Sequence, residues 1–405
     1  MAEKTELITP DPAWVASFTE KHRKLRPYYR FITNRWSPHT CEGAEHVPRV
    51  GPVLLLANHT CFFDAPIIPL FAERPVITMT TESLLQGRHG AFLMSLGVVP
   101  KKKFVSDSRA VRLLKGWADA GAAIGMFPEG QRTWDGLPLP LLPGVEKLVR
   151  LLGIPVITAR IYNGDRVWPR WAAVPRRGRL HVVFDPPRSW DKKTPMPQVR
   201  AEIERALYVD PLTCPRWPMG GPITARGVSN LLFACPSCLT LEALVESARA
   251  VSCTSCGLRW KVTAENRLVR PGSEETLLTA VQRIRQHVIA AVWRDPGGAG
   301  EVHLRSQPVR ILDQTGDAPV VLGEGSLELT SEGLRLQGGA WSLPFAEMAT
   351  ISCENRRRLW LRTKDRLIEP VFPVESVYKW EWIGGHWLNA WHEQHGTHVA
   401  TEHAG

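Results

Sequence analysis

Short apolar runs alternate with helical patterns between residues 52 and about 210. Buried strands are predicted at VLLLAN, PVITMTT, AIGMF, PVITARIYN and RLHVVFD. Helices are predicted at DAPIIPLFAE, SRAVRLLKGWADAGA, PGVEKLVRLLG and PQVRAEIERALYV. Because short apolar strands are separated by helices, we expect an α/β domain with a mainly parallel sheet flanked by helices.

The segment before this domain is basic and aromatic. KHRKLRPYYRFITNRW interleaves Lys, Arg and His with Tyr, Phe and Trp in a helical pattern, although Pro27 argues against one unbroken helix. Two interpretations stay open. The segment lies at a membrane interface, with aromatic rings at headgroup depth and cations on anionic lipid, or it packs on the domain with a solvated basic face.

The pattern changes twice after the α/β domain. Residues 211–232 are rich in Pro and Gly and are interpreted as a linker. SEETLLTAVQRIRQHVIAAVW (273–293) predicts an amphipathic helix with Ser273 as its N-cap. Its apolar stripe is predicted to contain Leu277, Val281, Ile284, Val288 and Val292.

From residue 303 onward, short β segments with turn signals between them predict a small barrel or sandwich. An aromatic helix, ESVYKWEWIGGHWLNAWH, closes the chain, and we expect Gly384 and Gly385 to kink or split it. The predicted domains are therefore an N-terminal helical segment at 1–45, the α/β domain at 46–222, a cysteine-rich segment at 223–270, a helix and linker at 271–300 and a β-rich module at 301–405.

The composition and net charge of the chain narrow the classes of molecule that it is expected to bind. The chain has 405 residues, a net charge of +10 and a pI near 9.4, so it favours anionic lipid, nucleic acid or phosphorylated substrates. Its 16 tryptophans suit interfaces. We find no apolar run long enough for an ordinary transmembrane helix and no apolar signal core, so we expect a cytoplasmic protein peripheral to the cytosolic face of the membrane.

Two polar motifs follow predicted strands. In Asn58-His59-Thr60-Cys61-Phe62-Phe63-Asp64, His59 at a strand end and Asp64 in a first helical turn can meet across the loop. Asp64 would then orient His59 as a general base. The alternative is that His59 merely ends a strand and Asp64 caps a helix.

MFPEGQRTWDG (126–136) is the second motif. Gly130 allows close backbone approach to a ligand, Arg132 suits a phosphate dianion, and Glu129 holds that arginine or a substrate hydroxyl. The alternative is a polar turn with a surface ion pair. Both motifs are predicted at carboxyl ends of strands, where open α/β sheets bind ligands. Lys101, Lys102 and Lys103 would add phosphate contacts or form a solvated run.

These residues resemble the glycerol-3-phosphate and 1-acylglycerol-3-phosphate acyltransferases. HTCFFD matches the H-x4-D motif of that family, FPEGQRTWDG resembles its FPEGTRS block, and the similarity covers about residues 50–165. The resemblance implies that His59 deprotonates an acceptor hydroxyl, that Asp64 orients His59, and that Glu129, Gly130 and Arg132 bind the acceptor's phosphate or glycerol part. It also implies acyl-CoA or acyl-carrier protein as donor, a lysophospholipid as acceptor, and no metal in the chemistry.

A cysteine cluster is the other specific signal. Cys235 and Cys238 form one CxxC pair, and Cys253 and Cys256 form a second. Two such pairs at this distance suit four thiolates around Zn²⁺ in a closed, structural site that resembles a zinc ribbon, with a redox pair as the alternative.

The C-terminal β region with its closing helix resembles a pleckstrin-homology or GRAM-like module. RRRLWLRTKDR (356–366) is interpreted as a basic lipid-facing hairpin or as an edge protected by charge. Two rival functions stay open beside the acyltransferase: a catalytically silent lipid- or protein-binding adaptor, and a nucleic-acid-associated zinc-ribbon protein. We do not expect nucleic acid as a partner, because basic stretches near the cysteine cluster are sparse.

Overall fold

The computed structural model describes residues 11–81, 94, 98–101, 108–220, 225–293, 301–316, 318–354 and 356–396. These residues form two compact units. Unit 1 contains the described residues up to Pro169 and those of Arg176–Gly220, and unit 2 contains Arg170–Pro175 and the described residues from 225 onward. The finer domain boundaries drawn from the sequence stay a prediction.

Unit 1 combines helices with one large sheet. Its described helices are α1 (Pro12–Trp36), α2 (Asp64–Ala72), α3 (Ser108–Asp119), α4 (Val145–Leu152), α5 (Gly164–Val167) and α6 (Met196–Leu207). Its described strands are β1 (His39–Glu42), β2 (Val53–Ala57), β3 (Val76–Thr81), β4 (Val98–Lys101), β5 (Ala123–Met126), β6 (Val156–Tyr162), β7 (Arg177–Gly178), β8 (Leu180–Phe184) and β9 (Met219–Gly220). A 3₁₀ turn, Ala44–His46, follows β1.

Seven of these strands form a mainly parallel sheet in the order β1-β8-β6-β2-β5-β3-β4, in which only the β6–β8 pairing is antiparallel among the described pairs. Side chains of β2 are buried on both faces because helices cover both. Leu54 and Leu56 pack in the core beneath α3, α4 and α6, and Leu55 packs on the opposite side with Ile67 and Ile68 of α2. The predicted α/β class is therefore confirmed.

The expectation that Pro27 would interrupt the first helix is wrong, because α1 runs from Pro12 to Trp36 with Pro27 inside it. Tertiary contacts of the helical turns that precede the proline offset the hydrogen bond that the proline cannot make. Phe18 is buried in the unit 1 core, and the Arg26 guanidinium donates to the Leu70 carbonyl at 2.8 Å. The helix ends before residue 45, and β1 follows it as the edge strand of the sheet.

Unit 2 is mostly β structure. Its described helices are α7 (Val228–Leu231), α8 (Leu277–Trp293) and α9 (Val377–Gln394). A five-stranded antiparallel sheet contains β10 (Leu244–Glu246), β11 (Ala250–Cys253), β12 (Arg259–Val262), β13 (Arg267–Arg270) and β14 (Ser273–Thr276).

The second sheet of unit 2 has seven described strands in the order β18-β17-β16-β15-β21-β20-β19. They are β15 (Val302–Asp313), β16 (Val320–Thr330), β17 (Gly333–Leu336), β18 (Ser342–Pro344), β19 (Met348–Glu354), β20 (Arg358–Thr363) and β21 (Leu367–Val371). A 3₁₀ turn, Phe345–Glu347, joins β18 to β19. The expected β-rich C-terminal part with a closing helix is confirmed, whereas its likeness to a pleckstrin-homology or GRAM module stays a prediction.

The predicted N-cap at Ser273 is wrong, because this residue lies in β14 and pairs with Arg270. Because Ser273–Thr276 pair as a strand, the helix begins at Leu277, about one turn later than predicted. The Thr276 hydroxyl instead accepts from the Thr279 N–H at 3.0 Å, as an N-cap does. The apolar stripe is confirmed as far as side chains are described, since Leu277, Val281, Ile284 and Val288 are all buried.

The expected split of the closing helix at Gly384 and Gly385 is also wrong, since α9 continues through both residues, whereas a kink there stays a prediction. A Cβ on Gly384 would lie 2.9 Å from the Ile351 side chain of β19, so the glycine permits close packing of helix and strand.

Among the described residues, no helix combines the length and apolar character needed to span a bilayer.

Candidate active site

Two motif-bearing loops leave the same edge of the unit 1 sheet. β2 and β5 are parallel neighbours, with Leu54 opposite Ile124 and Leu56 opposite Met126. Parallel strands end at one edge, so the residues after Ala57 and those after Met126 meet there. The sheet therefore brings together two motifs that lie about seventy positions apart in the chain.

The loop after β2 brings His59 and Asp64 into contact. His59 Nδ1 lies 2.9 Å from Asp64 Oδ2, and the Asp64 side chain is fully buried at the start of α2. The same carboxylate oxygen accepts the backbone N–H groups of Thr60 and Cys61, while Oδ1 accepts the Cys61 thiol at 3.0 Å. Asp64 thus orders its own loop as well as the imidazole.

Two contacts hold the His59 ring, one on a face of the ring and one at a ring nitrogen. It stacks on Phe127 with centroids 4.1 Å apart and planes 17° from parallel, and its side chain is 20% exposed. When the Nδ1 hydrogen is donated to Asp64, Nε2 is the basic nitrogen of the neutral ring. This is the geometry of a general base with an orienting carboxylate.

Two contacts that position the His59 loop were not predicted from the sequence. Asn58 is buried, and its amide bonds both to the N–H of Ile161 at 2.7 Å and to the carbonyl of Ile161 at 3.0 Å. This amide continues the β2–β6 pairing by one residue and fixes the start of the loop. On its far side, a Cβ on Gly164 would lie 2.1 Å from Thr60 Oγ1, so only a glycine fits there. An asparagine directly after an apolar strand was the available signal for the first contact.

Glu129 lies between the two motif loops. Its Oε1 accepts from the His59 backbone N–H at 3.0 Å, and its Oε2 accepts from the Leu139 N–H at 2.9 Å. Burial raises the pKa of Glu129 to about 8, and the two backbone donors and the nearby Asp64 charge act in opposite directions on it. The predicted contact of Glu129 with a substrate stays a prediction.

Gly130 and Arg132 follow on the same loop. Gly130 has φ +75°, and a Cβ there would lie 2.7 Å from the Leu142 side chain, so this turn requires glycine. The Arg132 guanidinium carbon lies 5.5 Å from the centroid of Phe62, whose ring is half exposed and packs on Trp168 at 5.1 Å. A cation therefore stands beside the His59 loop, where an anionic substrate group could bind.

The predicted lysines are only partly within the described chain. Lys101 is the last residue of β4, which lies three strands away from β2, roughly 14 Å at the usual strand spacing. Lys102 and Lys103 lie outside the described residues. Their role in phosphate binding stays a prediction.

The four cysteines of unit 2 form one cluster. The Sγ atoms of Cys235, Cys238, Cys253 and Cys256 all lie within 4.8 Å of one another, and Cys235–Cys256 and Cys238–Cys253 are both 3.7 Å apart. Tetrahedral Zn²⁺ with bonds of about 2.3 Å places its sulfurs about 3.8 Å apart, so the cluster has the right size for this ion. Backbone N–H groups of Ser237 and Ser255 point at the sulfurs of Cys235 and Cys253, as expected for thiolate ligands.

Comparison with known proteins agrees with the motifs. Residues 39–162 match the family model described as Acyltransferase. The chain is 23% identical over 181 residues, 41% of this chain and 52% of the relative, to 1-acyl-sn-glycerol-3-phosphate acyltransferase BAT2, chloroplastic, of Brassica napus. It is also 23% identical over 128 residues, 30% of this chain and 50% of the relative, to 1-acyl-sn-glycerol-3-phosphate acyltransferase of Borreliella burgdorferi.

The chain spans about half the length of these curated relatives. A crystal structure of the 1-acyl-sn-glycerophosphate (LPA) acyltransferase PlsC from Thermotoga maritima is similar over 46% of this chain and 79% of that chain, with a TM-score of 0.40 and 21% identity. The family model and the relatives confirm the resemblance recognised from the two motifs, and the family model places it at residues 39–162.

Proposed function

We propose that this protein moves a fatty acyl group from acyl-CoA or acyl-carrier protein to a hydroxyl of a lysophospholipid such as 1-acylglycerol-3-phosphate. The observation that carries the proposal is the His59 Nδ1–Asp64 Oδ2 contact of 2.9 Å, next to the loop that bears Arg132. The names of the relatives support a phosphorylated lysolipid as acceptor.

In the proposed reaction, His59 Nε2 takes the proton of the acceptor hydroxyl as its oxygen attacks the thioester carbonyl. Asp64 stabilises the imidazolium that forms. The tetrahedral intermediate collapses, the carbon–sulfur bond breaks, and His59 returns the proton to the leaving thiolate. The products are the new ester and a free thiol, so no metal or redox cofactor is required. A positioned histidine base contributes on the order of 10²–10⁴ to the rate.

The acceptor's phosphate is assigned to Arg132, whose planar guanidinium donates two parallel hydrogen bonds to phosphate oxygens. Gly130 lets the ligand approach the backbone of the loop. Lys101, Lys102 and Lys103 are proposed as further cations for this group.

Peripheral attachment to the cytosolic face of a membrane is proposed for α1. Tyr28 and Phe31 are 63% and 72% exposed. Residues 20–36 carry six Lys and Arg side chains and one Glu. Exposed rings between cations suit an anionic bilayer surface. Phe31→Ser is expected to weaken sedimentation with anionic vesicles, and unchanged sedimentation would contradict this assignment.

A structural Zn²⁺ is proposed for the four cysteines, which would bind it as thiolates and so stabilise unit 2. The purified protein is expected to contain one zinc per chain. Cys253→Ser is expected to lose the metal and to lower the unfolding temperature. A protein without zinc but with reversible disulfides would instead indicate the redox alternative.

The enzyme is tested by incubating purified protein with mixed lysolipids and labelled acyl-CoA or acyl-carrier protein and identifying the product. His59→Ala should abolish transfer while vesicle binding persists. A wild-type protein that binds vesicles but yields no acylated product would instead be an adaptor. Co-sedimentation with DNA rather than vesicles would indicate the nucleic-acid alternative.

A further inference from the structure

The carboxyl group of Glu129 connects the loop after β5 to the backbone of His59. Glu129 is 4% exposed, and each of its oxygens accepts a backbone N–H, one from His59 and one from Leu139. The two donors lie eighty residues apart in the chain. This one side chain therefore ties the His59 loop to the far end of the loop that follows Phe127.

The other peptide group of His59 is held by the same loop. The His59 carbonyl accepts from the Thr133 N–H at 3.0 Å. The backbone of His59 is thus bonded on both sides to residues 129–133, while its ring is bonded to Asp64 at 2.9 Å. Imidazole position is set by two independent anchors, one on the backbone and one on the ring.

We propose that Glu129 is a positioning residue for His59, acting through the His59 backbone N–H, and that it does not bind the acceptor. This inference rests on the proposed acyl transfer with His59 as base. It reassigns Glu129 from the substrate-binding role that the sequence suggested.

The burial of Glu129 and its two backbone hydrogen bonds favour the positioning role. A side chain with 4% exposure and both oxygens bonded to backbone groups presents little surface to a ligand. Backbone N–H groups buried at a loop need partners, and Glu129 supplies one for His59.

The substitution Glu129→Gln distinguishes a role in positioning His59 from a role in binding the acceptor. A glutamine side chain has one accepting oxygen, and its amide NH₂ would face the second backbone N–H, so one of the two bonds is lost. A displacement of about 1 Å at a catalytic group costs about 10²-fold in rate. We therefore expect kcat to fall about 10- to 100-fold, with KM for the lysolipid changed less than about threefold.

The assay measures kcat and KM for the lysolipid and, separately, hydrolysis of the acyl thioester by water without acceptor. A displaced base slows transfer and hydrolysis in the same proportion. An acceptor-binding role would raise KM and leave both kcat and hydrolysis unchanged, which would overturn the inference. Glu204→Gln, in a partly exposed ion pair with Arg200 on α6, is the matched control and should match wild type.

A second variant keeps the test decisive if Glu129→Gln does not fold. Leu139→Pro removes the other N–H donor and leaves the carboxyl in place. It should lower kcat about three- to tenfold with KM unchanged. A higher KM with unchanged kcat would overturn the inference. If His59→Ala abolishes transfer while the Glu129 variants keep wild-type kcat, only the Glu129 assignment fails and the acyltransferase proposal stands.

Discussion

Replacing Asp64 by asparagine tests the proposed catalytic pair of His59 and Asp64 by changing one side-chain atom. Asp64 Oδ2 accepts from His59, Thr60 and Cys61 N–H donors, so the amide oxygen of the substituted side chain must take this place. The amide NH₂ then faces the Cys61 sulfur, which can accept a weak hydrogen bond. The loop geometry survives, and the substitution removes the negative charge alone.

The expected loss of catalytic rate follows from the removal of this negative charge. In the transition state the His59 imidazolium and the Asp64 carboxylate have charge centres about 4 Å apart, an interaction worth about 4 kcal/mol at an effective dielectric constant of about 20. Each 1.36 kcal/mol is a factor of ten in rate, so kcat should fall about 10³-fold.

The assay is steady-state acyl transfer with saturating lysolipid and labelled acyl thioester, beside thermal unfolding of the same preparations. Asp119→Asn is the control, because Asp119 is 62% exposed and pairs only at the surface with Lys115. It should keep wild-type kcat. If Asp64→Asn folds and retains more than about a tenth of the wild-type kcat, the general-base assignment of His59 is wrong.

Three further outcomes are expected. Arg132→Lys keeps the charge but loses the two-pronged hydrogen bond, so KM for a phosphorylated acceptor should rise about five- to tenfold while kcat and the KM for a neutral alcohol stay unchanged. Gly164→Ala places a Cβ 2.1 Å from Thr60 Oγ1 and should lower both the unfolding temperature and kcat, whereas Gly220→Ala, with open space around it, should do neither. The pKa of Glu129 is raised by burial from its ordinary 4.5 to about 8, so the folded protein holds a proton that the unfolded chain has released between these values. Stability relative to Glu129→Gln should therefore fall as pH rises from about 5 to about 8, and a difference in unfolding temperature that is constant with pH would contradict the shifted pKa.

Much of unit 1 could be predicted from local pattern. The apolar runs that became β2 and β5 are short, continuous and bounded by polar motifs, so they identified buried strands and placed His59 and Arg132 at strand ends. The cysteine spacing likewise predicted a cluster that the structure confirms. These features depend on residues within one short segment of the chain, which is the range over which periodicity and spacing are informative.

Local patterns failed where a distant contact changed the outcome. Pro27 lies inside a helix because Phe18 and Arg26 anchor α1 to unit 1, and Ser273 lies in a strand because Arg270 pairs with it. In each case tertiary packing or strand pairing outweighed the intrinsic preference of the residue.

The sequence alone determined which residue types stand at the ends of which strands, and with them the class of chemistry. The tertiary structure decided how they are held: that β5 lies beside β2, that Asn58 bonds to β6, and that Glu129 accepts from the backbone of His59. The physical reason is that the pattern of buried and exposed residues within one strand follows from the local sequence. The partner of a buried polar group instead depends on the order of the strands, which is determined only when the sheet packs.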